Sequence, residues 1–323
     1  MWSKYPEILN DLKLVEEDIR KNTYSKNKVL HEIISGLFNA GGKRLRPAFV
    51  VIASKFGKSQ KSGELKSKVV SVASAIEILH TATLVHDDIV DKAEMRRGHP
   101  TIVQTHGSNI ALYAGDLLYT KSVLALSKDI PVDRLEAIAR AIKILCEGEI
   151  DQYLDRRNLN VSVFAYLKSI ARKTAGLFGA ASASGAYIAK CSNEDTKNLA
   201  RFGFNFGMAF QIRDDLNDFL KNQKVTGKPF CKDISEGVVT LPFIFAFRES
   251  AEILTEFKNA FIENRTINQR EMHSIVEKIK ETRAIQKTQA ILDKYISRAN
   301  HHLTLLPENK YKILLHELLE GLT

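Results

Sequence analysis

The sequence predicts an all-α protein, and three observations carry that prediction. Between a small number of breaks, apolar residues recur at three- and four-residue spacing, the period of a helix packed on one face. Alternating apolar and polar runs, the pattern of half-buried strands, are scarce. The seven prolines and 17 glycines of the 323 residues cluster at a few places and do not interrupt the chain throughout.

Taken in order, residues 1–22 carry charges throughout and contain no apolar signal core. Gly41-Gly42 interrupts the first helical stretch and opens the basic run GGKRLRP. Val69, Val72, Ala73, Ile76, Leu79 and Thr83 define a long apolar helix that Arg97-Gly98-His99-Pro100 ends. Leu135, Ile138, Ala139, Ile142 and Leu145 repeat the helical period. The segment GAASASGA at 179–186 offers small side chains where two helices can approach closely. A polar, glycine-containing loop spans 225–237. FIFAF at 243–247 has the composition of a strand, but Pro242 precedes it and a charged helical pattern follows, so a helix start is predicted. Ile275 with Ile279, and Ile285 with Leu292, extend the helical reading toward the C-terminus. With no repeat, linker or low-complexity segment, one all-helical domain over 1–323 is expected. No run of eighteen apolar residues is seen, so no membrane span is predicted.

Hydrophobic residues at 44% and charged residues at 26% supply an ordinary globular core. A net charge of +9 suits an anionic partner, and equally describes a solvated basic surface. Zinc-finger spacing and basic–aromatic repeats are absent, so no nucleic-acid partner is expected. Cys146, Cys191 and Cys231 lie far apart, without metal-ligand spacing, which argues against a disulfide framework or zinc and for a cytoplasmic location.

Two clusters carry the chemistry: DDIVD at 87–91 and DDLND at 214–218, each inside an apolar helical pattern. On a helix, residues four apart share a face, so Asp87 stands over Asp91 and Asp214 over Asp218. Asp88 and Asp215 are turned about 100° away, in position to support the others from behind. Stacked like charges destabilise a helix, and carboxylate oxygens select hard divalent ions such as Mg²⁺. One such cluster is as well explained as a solvated acidic face; two of the same form, flanked by apolar residues and near basic glycine-containing segments, are not. Fixed Mg²⁺ ions suit a diphosphate above other substrates. Lys43, Arg44 and Arg46, then Arg96 and Arg97, Lys173 and Lys228 are the cations that a diphosphate would meet.

GGKRLRP, LVHDDIVDKAEMRRGHPT, ARKTAGLF, FQIRDDLNDF and GKPFCKDISEGVVTLP resemble, in order, the motifs of trans-polyprenyl diphosphate synthases, over about residues 5–250. The resemblance implies a helical bundle around a deep cavity, acting as a dimer. It implies that Lys43, Arg46, His80 and Arg97 bind isopentenyl diphosphate. Arg96, Lys173, Thr174, Gln211 and Lys228 would hold the allylic diphosphate. Asp87, Asp91 and Asp214 would ligate Mg²⁺, with Asp88, Asp215 and Asp218 nearby, and three ions are implied with substrate bound. Two diphosphates and six aspartates, about −12, would then be balanced by three Mg²⁺ and six cationic side chains, about +12. The implied reaction is ionisation of the allylic C–O bond, capture of the cation by the isopentenyl double bond and loss of a proton, with water excluded.

Ala82 and Thr83 stand one turn before the first cluster, where family members with short products carry a bulky aromatic. Small residues here imply a long product, or serve helix packing alone. The GEIDQ and GMAFQIRDD contexts look most like the catalytic chain of two-component heptaprenyl or hexaprenyl enzymes. Val238 replaces a lysine that most single-component relatives direct at the allylic diphosphate, and HELLEGLT ends the chain without a basic cluster. These departures imply either weaker closure over the diphosphate or a contribution from a partner. A homodimer, or a heterodimer with a smaller non-catalytic subunit, is therefore expected, with quinone side chains as the product's use and peripheral membrane contact at its release. A terpene cyclase fits less well, because its second motif differs from DDLND and GGKRLRP would have no second diphosphate to bind. A shorter-chain synthase and a non-catalytic partner subunit are the remaining alternatives; intact aspartates argue against the latter.

Overall fold

The computed structural model describes residues 2–57, 63–220, 234, 237–262 and 267–323. Its elements in chain order are α1 (Pro6–Thr23), α2 (Lys28–Asn39), α3 (Leu45–Ser54), α4 (Gly63–Val90), α5 (Ile102–His106), α6 (Ser108–Asp129), α7 (Val132–Leu154) and α8 (Val163–Ile170). A π-helical turn, Ala171–Ala175, leads into α9 (Gly176–Ile188) and α10 (Asn193–Leu220). The C-terminal third holds α11 (Leu241–Glu249), α12 (Ala251–Ile262), α13 (Gln269–Lys280), α14 (Ala284–Thr304) and α15 (Lys310–Glu320). The fold is all-α, as the periodicity requires. FIFAF lies within α11, whose first turn contains the proline.

One local difference is a two-residue hairpin, β1 (Met95–Arg96) against β2 (His99–Pro100). Arg97 and Gly98 both take positive φ, 53° and 81°, the backbone that a two-residue hairpin turn demands. The long helix thus ends at Val90, well before Arg97.

Contacts group the chain into two compact units. Unit 1 comprises Met1–Ala139, Ala180–Ala200 and Leu306–Tyr311. Its axis is α4, packed against α6, α1 and α3. By length and composition alone α4 is apolar enough to cross a membrane, but 67% of its apolar window is buried against its neighbours. It is built as a core helix, and its last turn carries Asp87 and Asp88 of the first acidic cluster, with Asp91 just beyond its end. The small-residue segment does what its composition predicts: a Cβ on Gly185 would stand 2.0 Å from the carbonyl oxygen of Val50, so α9 and α3 approach backbone to backbone.

Unit 2 comprises Arg140–Gly179, Arg201–Leu305 and Lys312–Thr323. Two aromatic clusters form its core. Phe243 and Phe247 from α11 meet Phe257 from α12, at ring separations of 5.6 and 5.1 Å. Phe178 meets Phe206 from α10 at 5.5 Å. The α13 helix starts in a capping box, in which the Asn268 side chain accepts from the Glu271 amide and the Glu271 carboxylate returns the bond. Cys146 and Cys191 form no disulfide, and Cys231 lies outside the described residues.

Candidate active site

In unit 1 the basic loop between α2 and α3 is sorted by backbone conformation. Arg44 takes φ 50°, which turns it inward. There its guanidinium donates to Glu77 Oε1 and to the carbonyl of Phe38, both at 2.8 Å. It anchors the loop, while Lys43 is exposed and Arg46, at the start of α3, is half-buried.

Arg46 Nη1 lies 3.0 Å from His80 Nε2. A guanidinium only donates, so Nε2 accepts and the ring proton sits on Nδ1. Burial, then the charges of Arg46, Arg97, Arg96 and Arg44, holds the His80 pKa well below its ordinary 6.5. Burial also lowers Arg46 to about 10. Arg97, lowered for the same first reason, is exposed at the hairpin tip and donates to the carbonyl of Gly41.

A depressed histidine pKa has a sign that can be tested. The unfolded chain binds the proton more readily, so His80 contributes fully to stability above about pH 6.5, and that contribution is lost as pH falls below it. Wild type is expected to lose up to about 1.4 kcal/mol per pH unit from this group, and His80→Gln to flatten the loss. Melting temperatures followed from about pH 7.5 to 5.5 check this; parallel curves for the two proteins would refute it.

The first acidic cluster divides as helix geometry predicts. Asp87 and Asp91 are half-exposed, one turn apart, with the Asp91 amide donating to the Asp87 carbonyl at 2.8 Å. Asp88 is only 3% exposed and accepts from Arg96 Nε at 2.6 Å. Burial raises its pKa, while Arg96 opposes that rise. Arg96 is thus a partner of Asp88 as well as a candidate diphosphate ligand. A cavity of about 400 Å³ lies beside this pair, lined by Thr81, Leu84 and Val85 of α4 and by residues of α2, the hairpin and α5. Ala82, fully buried, and Thr83, whose hydroxyl donates to the His80 carbonyl, are not among its lining residues.

The second acidic cluster, in unit 2, repeats the division. Asp214 is exposed, Asp218 half-exposed and Asp215 only 5% exposed. Asp215 accepts from Tyr166 Oη at 2.6 Å and from Gln211 Nε2 at 2.8 Å. Thr174 Oγ1 donates to Gln211 Oε1 at 2.9 Å. Lys173 projects from the π-helical turn, a feature frequent at functional sites. Its ammonium donates to Glu149 Oε2 at 2.8 Å and to Gln152 Oε1 at 3.1 Å. Tyr166, Glu149 and Gln152 belong to none of the clusters that the sequence marks out. Tyr166 stands seven residues before Lys173, a two-turn spacing that is the one local signal for it. Lys228 lies outside the described residues. Val238 is described and half-buried, just after Gly237, whose carbonyl accepts from the Arg157 amide at 2.8 Å.

Among the described residues no three His, Cys, Asp or Glu side chains gather into a complete metal cage. Mg²⁺ is typically bound through one or two carboxylates and completes its shell with water and substrate phosphate oxygens. The outward pair Asp87 and Asp91 offers such a donor set, as do Asp214 and Asp218.

Each cluster presents two carboxylates about one turn apart with the intervening aspartate buried, on an all-α fold of the isoprenoid-synthase type. A sequence model of polyprenyl synthetases matches residues 27–279. Heptaprenyl diphosphate synthase component 2 of Geobacillus stearothermophilus is 35% identical, over 97% of this chain and 95% of that one. Among solved structures, heptaprenyl diphosphate synthase from Staphylococcus aureus superposes with a TM-score of 0.90 at 32% identity, covering 98% of this chain and 97% of the other. A polyprenyl synthase from Caulobacter crescentus, complexed with calcium and isoprenyl diphosphate, gives 0.87 at 31% identity, covering 97% and 94%. The chain belongs to the polyprenyl synthetase family of prenyltransferases.

Proposed function

We propose that this protein is a long-chain all-trans polyprenyl diphosphate synthase, adding isopentenyl diphosphate units head-to-tail to an allylic diphosphate. The product lies in the hexa- to octaprenyl range, heptaprenyl favoured, and serves as a quinone side chain. The observation that carries the reading is the repeated division of the acidic clusters, with outward aspartates one turn apart and the middle one buried and held. The heptaprenyl synthases among its relatives support the chain length.

In this reading Asp87, Asp91 and Asp214 hold Mg²⁺, three ions with substrates bound. Mg²⁺ bound there would supply Lewis-acid stabilisation of the charge on a diphosphate leaving group. Lys43, Arg46 and Arg97 bind the isopentenyl diphosphate; neutral His80 keeps the Arg46 guanidinium in place by accepting its hydrogen bond. Lys173, Thr174, Gln211, Arg96 and Lys228 orient the allylic diphosphate. Because Lys173 is already held by Glu149 and Gln152, it is preorganised for the charge that develops on the leaving group. A partner, either a second copy or a smaller non-catalytic subunit, covers the exposed Ile110, Leu112, Tyr113, Val123 and Leu124 of α6.

The test is to incubate the purified chain with farnesyl diphosphate, labelled isopentenyl diphosphate and Mg²⁺ and to size the products. Products in the hexa- to octaprenyl range are expected, and short products alone would refute the chain length. Turnover that appears only when a second subunit is added would select the heterodimer over the homodimer.

A further inference from the structure

Behind the second acidic cluster, four side chains of unit 2 form a continuous hydrogen-bonded chain, Tyr166–Asp215–Gln211–Thr174. Tyr166, Asp215 and Thr174 are buried. Its direction is fixed by chemistry. An ionised carboxylate only accepts, so Tyr166 must point its proton at Asp215, and Gln211 must turn its amide nitrogen to the same group. The Gln211 oxygen then faces Thr174 and accepts a hydrogen bond from its hydroxyl. Reversing the amide would set oxygen against oxygen at 2.8 Å.

The same four residues tie α8 and the π-helical turn to α10. Tyr166 lies on α8, Thr174 on the turn, and Gln211 and Asp215 on α10. Gly207, one turn before Gln211, brings α10 against that turn so closely that a Cβ would stand 2.7 Å from Ala175 Cα. Thr174 is adjacent to Lys173, so whatever sets the seat of the turn on α10 also sets where the Lys173 ammonium stands.

We propose that Tyr166 is a positioning residue for the allylic half of the reaction. Its hydroxyl holds Asp215, Asp215 holds the Gln211 amide, and together they seat the turn that carries Lys173 and Thr174. The proposal rests on the synthase reading above. Tyr166 itself is buried behind Asp215 and is assigned no contact with substrate.

Tyr166→Phe keeps the ring and removes only the hydroxyl, so the full-length variant is compared with wild type in steady-state elongation across a Mg²⁺ titration, with melting temperature measured alongside. Asp215 adjoins Asp214, the candidate metal ligand, and loss of an outer hydrogen bond that orients such a site typically costs 10- to 100-fold in metal affinity or activity. The variant is expected to lose about tenfold or more in kcat and to need several-fold more Mg²⁺ for half-maximal rate, with the KM for isopentenyl diphosphate unchanged within about twofold. Gln211→Met, which cuts the chain one link further on, is expected to give the same pattern. A lower melting temperature with unchanged kcat and Mg²⁺ midpoint would make Tyr166 a packing residue and overturn the proposal. So would loss of activity in Gln211→Met with none in Tyr166→Phe, which leaves the synthase reading intact. Wild type that fails to elongate under all conditions, with and without a partner subunit, overturns that reading and this proposal together.

Discussion

Asp87→Asn is expected to lower kcat by about 10²- to 10³-fold while leaving the folded state nearly as stable as wild type. The side chain is half-exposed on the outward face of α4, where loss of charge costs the fold little, yet it removes a hard oxygen donor from a pair that has only two. Asp88→Asn should behave differently. Its carboxylate is buried and accepts a 2.6 Å bond from Arg96. Removing that charge weakens a charge-assisted bond in a desolvated place, at a cost of about 1–3 kcal/mol. Activity then falls because Arg96 loses its anchor. Turnover with saturating Mg²⁺, together with denaturant unfolding of both variants, separates the two effects. Wild-type turnover in Asp87→Asn would end the assignment of this face to the metal.

Ala82→Phe is expected to shorten the product markedly while costing about 1–3 kcal/mol of stability. Ala82 has no exposed surface, so a phenyl ring must displace its neighbours or enter whatever space the growing chain uses. Product sizing and thermal unfolding of the same preparation decide between these outcomes. Shortened products place residue 82 on the path of the chain. Unchanged products from a destabilised protein would make Ala82 a packing residue, and product length would be governed elsewhere.

Both predictions rest on features legible in the sequence to different degrees. That Asp87 and Asp91 share a face while Asp88 turns away follows from 100° per residue, a local rule that needs no neighbours. The same rule applied at 214–218, and both clusters divide accordingly. FIFAF at 243–247 was decided by the proline before it, another local signal. The hairpin at 95–100 was not foreseen. Its strands are two residues long, and the turn depends on a positive φ at Arg97, a residue with no strong preference for it.

The roles of the cations were less legible. GGKRLRP announces three, and nothing local says which of Arg44 and Arg46 turns inward. That is decided by φ 50° at Arg44 and by Glu77, 33 residues away. Lys173 looked like a simple diphosphate ligand, but Glu149 and Gln152 from α7 already hold it.

By itself, then, the sequence determined the helical class, the pairing of carboxylates along each acidic face and the family, because helix period and ordered motifs are properties of neighbours in the chain. Tertiary structure alone decided which charged groups are anchors and which are presented. Asp88 in the last turn of α4 meets Arg96 from the first strand of the hairpin, and Tyr166 with Asp215 is separated by 49 residues. Such partners are chosen by burial, since a polar group removed from water must find a hydrogen bond wherever the fold brings one within reach.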